Sequence, residues 1–144
     1  MPYTMRVEQE IDSGHILTLP YSSRCNRLHG HRWRVVVTIS CSSLDSNGLC
    51  VDFTHVKEVI KGLDHCMFVS AKEQSMPSVL RQVKGPGIVY LPFAPTAENL
   101  AKYILEFLDL RLKENPVYRD RSGDFTITAV EVWETATGMV RYEP

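Results

Sequence analysis

The chain reads as a single α+β domain, residues 1–144, in which strands joined through hairpins form a sheet and helices cover one of its faces. Three observations predict this. Residues 125–134 alternate apolar and polar side chains, and after Ala136-Thr137-Gly138 the run 139–142 resumes, which is the pattern of a β-hairpin. An earlier run, residues 31–41, carries the alternation Trp33-Arg34-Val35 into Val37 and Ile39. Two further segments repeat apolar residues at helical spacing, one through Val56, Val59, Ile60 and Leu63, the other through Leu100, Ala101, Ile104, Leu105, Leu108 and Leu110.

Taken in order, residues 3–12 form a first strand, with Met5, Val7 and Ile11 against Arg6, Glu8 and Glu10. His15 follows just past it, and residues 16–24, with a proline, a tyrosine and two serines, form a loop that leads to Cys25 and the second strand. Asp45-Ser46-Asn47-Gly48 is a turn, and residues 49–53 resume an extended path that joins the antiparallel sheet. Thr54 is the expected N-cap of the first helix, with Lys57 and Lys61 on its outer side and Gly62 ending it. Residues 70–86 form an elaborated surface connection with a short helix at 77–83 and breakers at 84–87. Ile88-Val89-Tyr90-Leu91 is a short strand, and Pro95-Thr96-Ala97-Glu98 opens the second helix, with Thr96 as N-cap and Asn99 three residues on in a near capping box.

Bulk properties narrow the function. Forty-four per cent hydrophobic and 23% charged residues describe an ordinary globular protein, and sixteen basic against seventeen acidic residues leave a net charge of −1, which argues against bulk nucleic-acid binding. Arg24, Arg27, Arg32 and Arg34 cluster locally and suit either an anionic small substrate or a solvated face. Four cysteines, at 25, 41, 50 and 66, show no Cys-x-x-Cys spacing and no disulfide-scaffold density, so a reducing cytoplasm fits best. The N-terminal residues lack a secretory or transit pattern, and no apolar stretch reaches membrane-spanning length; the protein reads as unprocessed, soluble and intracellular.

The chemistry concentrates in Cys25-Asn26-Arg27-Leu28-His29-Gly30-His31. Alternate residues of a strand share a face, so His29 and His31 can approach one cation together, and His15 supplies a third imidazole. Three histidines with an open fourth position describe a catalytic zinc. A His-x-His pair alone is a weak signal, and Cys25 admits two readings: fourth ligand of a closed structural site, or unligated thiol beside an open metal. Asp64-His65 sets a carboxylate beside an imidazole, as in proton transfer, or else is a helix-end Asp beside a surface histidine. His55 reads as a surface residue. Glu134 suits the N–H edge of a flat heterocycle or, more simply, a solvated sheet position, and Glu98 complements the helix dipole before it contacts any substrate.

Together these residues resemble the family of 6-pyruvoyltetrahydropterin and 6-carboxytetrahydropterin synthases over nearly the whole chain. The resemblance rests on Ser13-Gly14-His15, Cys25 with His29-Gly30-His31, Val51-Asp52-Phe53, Leu63-Asp64-His65, Pro95-Thr96-Ala97-Glu98-Asn99 and Val132-Trp133-Glu134-Thr135, in family order. It implies the tunnelling fold, an antiparallel four-stranded sheet with two helices per chain, assembled as an oligomeric barrel, commonly a hexamer of two trimers with active sites between subunits. It further implies zinc held by His15, His29 and His31, Cys25 as proton acceptor, Asp64 and His65 as relay, and Glu134 anchoring a pterin ring with the turn carrying Thr96 and Glu98. The implied substrate is 7,8-dihydroneopterin triphosphate. Three residues between Cys25 and His29 resemble the carboxy synthases of queuosine and 7-deazaguanine synthesis, whereas pyruvoyl synthases usually have two more. Ile16 and the long stretch 66–94 depart from the family pattern. The other readings are the pyruvoyl synthase and a non-catalytic, zinc-stabilised domain that binds a pterin or purine.

Overall fold

The computed structural model describes residues 1–72 and 87–144. Its framework is a pair of thirteen-residue strands, β1 (Tyr3–His15) and β2 (His29–Cys41), antiparallel in unbroken register from Tyr3 opposite Cys41 to His15 opposite His29. Strand β5 (Phe125–Thr135) pairs antiparallel with β2, and β6 (Gly138–Tyr142) with β5. On the other side β3 (Met67–Ser70) lies parallel to the end of β1, and β4 (Ile88–Leu91) parallel to β3. The sheet order is β4-β3-β1-β2-β5-β6. The sheet is therefore mixed and six-stranded, not four-stranded and antiparallel; the expected antiparallel part is β1, β2, β5 and β6. Strand β3 escaped sequence reading because four residues, three of them apolar, are too short to show a period.

Helices α1 (Phe53–Lys61) and α2 (Ala97–Glu114) pack on one face of the sheet, as expected. Val7 and Ile11 of β1 and Trp33, Val35, Val37 and Ile39 of β2 meet Val56, Ile60, Leu100, Ile104 and Leu108 in one core. The opposite face carries charge: Arg6 and Arg34 pair with Glu8, and Arg6 and Arg141 reach Glu131.

Several boundaries move. Strand β1 runs on through His15 rather than ending at Asp12, and β2 begins at His29. Residues 49–53 are not a strand, because the backbone N–H groups of Leu49 and Asp52 go to side chains rather than to a neighbouring strand. The Asp45 carboxylate accepts the N–H groups of Asn47 and Leu49, and Asp52 N–H donates to the Tyr118 hydroxyl at 3.0 Å. Asp52, not Thr54, caps α1, its side chain accepting from Thr54 N–H at 2.8 Å. Thr96 caps α2 as expected, accepting from Asn99 N–H, but the Asn99 amide turns to the Ala94 carbonyl instead of closing a capping box. Cys41 and Cys50 form a disulfide, a pairing that the sequence reading did not anticipate. The pairing brings the end of β2 onto the loop before α1, a contact that cysteine spacing alone does not reveal. The expected helix at 77–83 lies outside the described residues. No helix among the described residues is long and apolar enough to cross a membrane.

One irregularity matters for the site. Across β2 and β5 the register shifts between Thr38 and Ile39, which face Ala129 and Ile127, leaving Thr128 as an extra residue. Such a bulge reverses the alternation downstream. Phe125 and Ile127 face the helices before it, Val130 and Val132 after it. The next residue in that phase is Glu134.

Asp52→Ala should lower stability by about 1 kcal/mol in urea unfolding while Thr54→Ala leaves it nearly unchanged, as expected if only the first supplies the cap. Digestion without reductant should yield Cys41 and Cys50 as one linked peptide.

Candidate metal centre and its surroundings

The end of the β1–β2 ladder builds the site. Register sets His15 opposite His29, and His31 follows two residues later on the same face. The ring centroids of His15 and His29 are 4.5 Å apart, those of His29 and His31 4.9 Å. The bulge in β5 delivers Glu134 to the same place: its Oε1 lies 2.8 Å from His31 Nε2 and 3.5 Å from His15 Nε2. One ligand atom from each of His15, His29, His31 and Glu134 falls within 4.8 Å of every other.

The imidazoles are aimed by their outer nitrogens. His15 Nδ1–H donates to the Pro95 carbonyl at 2.7 Å, and His29 Nδ1–H to the Arg27 carbonyl at 2.6 Å, so each Nε2 is left as an acceptor toward the group. His15 is fully buried, and its Nε2, like that of His31, has no hydrogen-bond partner; the short His31–Glu134 approach does not have hydrogen-bond geometry. Burial pushes the pKa of His15 down, with the charges of His29 and His31 adding to the effect and the Pro95 bond and Glu134 opposing it. Burial likewise lowers His31, against Glu134. Neutral imidazoles with orphaned buried nitrogens, plus one carboxylate oxygen, are the donor set of a zinc or similar divalent transition-metal site, and the residues fit such an ion. Trp33 stacks edge-on against His15 and His31, and its indole N–H donates to the Ser13 carbonyl at 2.9 Å, which fixes the floor.

Residues 63–66 are tied to the same strand end. The Ser13 hydroxyl donates to the Leu63 carbonyl, Gly14 N–H to that of Cys66, and His65 N–H to that of Asp12. Asp64 Oδ1 accepts from Asp12 N–H at 2.7 Å while Oδ2 lies 3.0 Å from His65 Nδ1 and 3.4 Å from Lys61 Nζ. That backbone bond foremost, with His65 and Lys61, holds the Asp64 carboxyl at about 2. His65 has φ of 58°, a left-handed conformation that costs a non-glycine residue energy and concentrates at functional positions. Its ring is 81% exposed and lines an open cavity of about 470 Å³ together with His31 and Arg32.

Cys25 is half-buried in the one-turn helix Arg24–Asn26 and is not a member of the four-residue ligand group. Thr96 and Glu98 follow directly on Pro95, whose carbonyl holds His15, so the start of α2 abuts the centre; Glu98 itself is exposed. Arg32 and Arg34 share the sheet face opposite the helices and line one cavity with Glu10 and Trp133; Arg32 pairs with Asp12, and Arg34 stacks on Trp133 at 4.3 Å. His55 is not a bare surface residue, its Nδ1 accepting from the Tyr118 hydroxyl at 2.6 Å. Sequence reasoning missed the carbonyls of Pro95 and Arg27, Trp33, and the nearness of Glu134 to the histidines; backbone carbonyls carry no sequence signal, and Glu134 depends on the bulge.

Fold and site thus define an α+β protein that gathers three histidines and a glutamate at the end of a curled mixed sheet. The sequence model of the 6-pyruvoyl tetrahydropterin synthase family matches residues 4–144, and the chain belongs to that family. It is 33% identical over 128 residues to the 6-carboxy-5,6,7,8-tetrahydropterin synthase of Aquifex aeolicus, covering 84% of this chain and 76% of that one. The enzyme of the same name from Rickettsia bellii is 29% identical over 136 residues, covering 91% and 93%. Among solved structures, an uncharacterized protein of Wolinella succinogenes superposes with a TM-score of 0.73 at 21% identity over 98% of this chain and 97% of that one. Plasmodium vivax 6-pyruvoyltetrahydropterin synthase gives 0.68 at 16% identity over 99% and 97%. The chain is accordingly related over nearly its whole length to proteins named as tetrahydropterin synthases.

The lowered His15 and His31 fix the sign of a pH effect. In the unfolded chain these rings take up protons as pH falls through about 6.5, in the fold only at lower pH, so their contribution is complete above that value and is lost as pH falls toward the folded pKa values. The melting temperature of the metal-free protein should therefore fall between pH 7 and 5, and by less in His15→Gln. Metal titration should find one divalent ion per chain, and none in His29→Ala.

Proposed function

We propose that the protein is a zinc-dependent 6-carboxy-5,6,7,8-tetrahydropterin synthase that converts 7,8-dihydroneopterin triphosphate and water to 6-carboxytetrahydropterin, acetaldehyde and triphosphate, a step in queuosine and 7-deazaguanine synthesis. The observation that carries the reading is the His15, His29, His31 and Glu134 group with Cys25 left outside it. A closed cysteine–histidine zinc site would enlist the thiol; here Cys25 stands apart from the three imidazoles. The Cys25-x3-His29 spacing and the names of the relatives quoted above support the carboxy product over the pyruvoyl one.

When bound, zinc supplies Lewis acidity to the hydroxyls of the substrate side chain and acidifies the neighbouring C–H. His15, His29 and His31 hold it as neutral donors. Cys25 takes the proton from carbon as thiolate, and His65, oriented by Asp64, moves protons at the same centre. Glu134 Oε1 faces the histidines, which leaves Oε2 to accept from the N–H edge of the pterin, with Thr96 and Glu98 bounding the ring. The exposure of His65 supports a site completed between subunits of a homohexamer. We place the enzyme in the cytoplasm, where the thiol pool bears on the Cys41–Cys50 bond.

Incubation of zinc-loaded protein with 7,8-dihydroneopterin triphosphate should give the carboxypterin and acetaldehyde by mass; a pyruvoylpterin would instead make it a pyruvoyl synthase. Cys25→Ser should keep one zinc per chain and lose turnover by about 10²–10⁴-fold. A variant that loses zinc as well would make the site structural.

A further inference from the structure

We propose that Asn26 is the positioning residue for the Cys25 thiol, an inference that rests on the reading of Cys25 as the base. The loop 16–28 leaves the ladder at His15 and rejoins it at His29, so only its ends are set by strand register. Within it Cys25 is held at both peptide groups: its N–H donates to Ser23 Oγ at 3.1 Å, and its carbonyl accepts from Leu17 N–H at 2.9 Å. The Leu17 bond ties the thiol-bearing turn to the chain two residues beyond the ligand His15. The outer arc of the loop, with Pro20, Tyr21 and Ser22 exposed, has a different anchor.

That anchor is the Asn26 amide, and it is fully used. Oδ1 accepts from Leu19 N–H at 2.8 Å, while Nδ2 donates to the Leu19 carbonyl at 3.2 Å and to the Tyr21 carbonyl at 3.0 Å. One acceptor and two donors at one side-chain end are the inventory of an amide. Aspartate keeps the acceptor but loses both donors and turns charge toward two carbonyls; serine cannot make three such bonds. Among the described residues no other side chain bonds the backbone of Leu19 or Tyr21. Asn26 adjoins Cys25 in the same one-turn helix, so the clasp closes the thirteen-residue excursion beside the residue that carries the thiol. Asn26 neither belongs to the ligand group nor serves as base; it acts through the place it gives Cys25.

The test uses the zinc-loaded full chain with Asn26→Ala, Asn26→Asp and Asn26→Gln. Iodoacetamide modification of Cys25 is followed by peptide mass, alongside zinc content, melting temperature, kcat and KM on 7,8-dihydroneopterin triphosphate. Expected are unchanged zinc content, Cys25 alkylation several-fold faster in Ala and Asp, and kcat lower on the order of tenfold to a hundredfold with KM within about twofold, since misplacement of a reacting group acts on kcat. Asn26→Gln, with the same donors and acceptor, recovers part of both effects. Alkylation at the parent rate in Ala and Asp overturns the inference, and so does faster alkylation with kcat unchanged. Should Cys25→Ser turn over undiminished, the assignment of the base fails, and the alkylation rates still decide whether Asn26 places the thiol.

Discussion

Everything at the site depends on the unslipped pairing of β1 with β2. Thirteen consecutive residue pairs carry the order of the core directly into the order of the metal centre: the rows that put Ile11 beside Trp33 in the core put His15 beside His29 four residues later. A slip by one residue would turn every side chain of a strand to the other face, so hydrophobic burial along the ladder is what holds the imidazoles together. The ligands themselves do little to choose this arrangement, since buried polar nitrogens oppose folding until they are satisfied. Apolar residues far from the chemistry thus provide the alignment, and the histidines exploit it.

The helix layer supplies the second constraint. His15 is committed to one tautomer by the carbonyl of Pro95, at the mouth of α2, and Ser13 and Asp12 receive the segment 63–66 that follows α1. Both helices therefore end or begin at the site, and their packing is read out as ring orientation. Asp64 shows the same economy: one carboxylate holds the backbone of β1, the ring of His65 and the ammonium of Lys61.

Much of this was legible in sequence, for physical reasons that separate cleanly. His29 and His31 could be placed on a common face because strand alternation has a fixed period, and Thr96 could be placed at a helix start because capping chemistry is local. The β5–β6 hairpin and α2 followed from long periodic runs. What stayed hidden depends on contacts distant in sequence or on backbone atoms: strand β3 and its parallel pairing with β1 and β4, the Cys41–Cys50 bond, the carbonyls behind the imidazoles. Glu134 is the instructive case. Alternation from Ile127 would have set Trp133 on the histidine face, and only the extra residue at Thr128 brings the glutamate round. Asp52 and Thr54 make the smaller version of the point, since both are good caps and the bonding of Asp52 to Tyr118 selects between them.

The mixed sheet also ends in two open edges, β4 and β6, neither of which has a further partner strand among the described residues. Strand β4 is only four residues long and exposes Tyr90, and rows of unsatisfied backbone donors and acceptors of this kind recruit other strands indiscriminately. A lone chain is on that account a hazard to its own solubility. Joining edge to edge with copies of itself would satisfy the same groups in a single defined way, and would then act as a safeguard against aggregation.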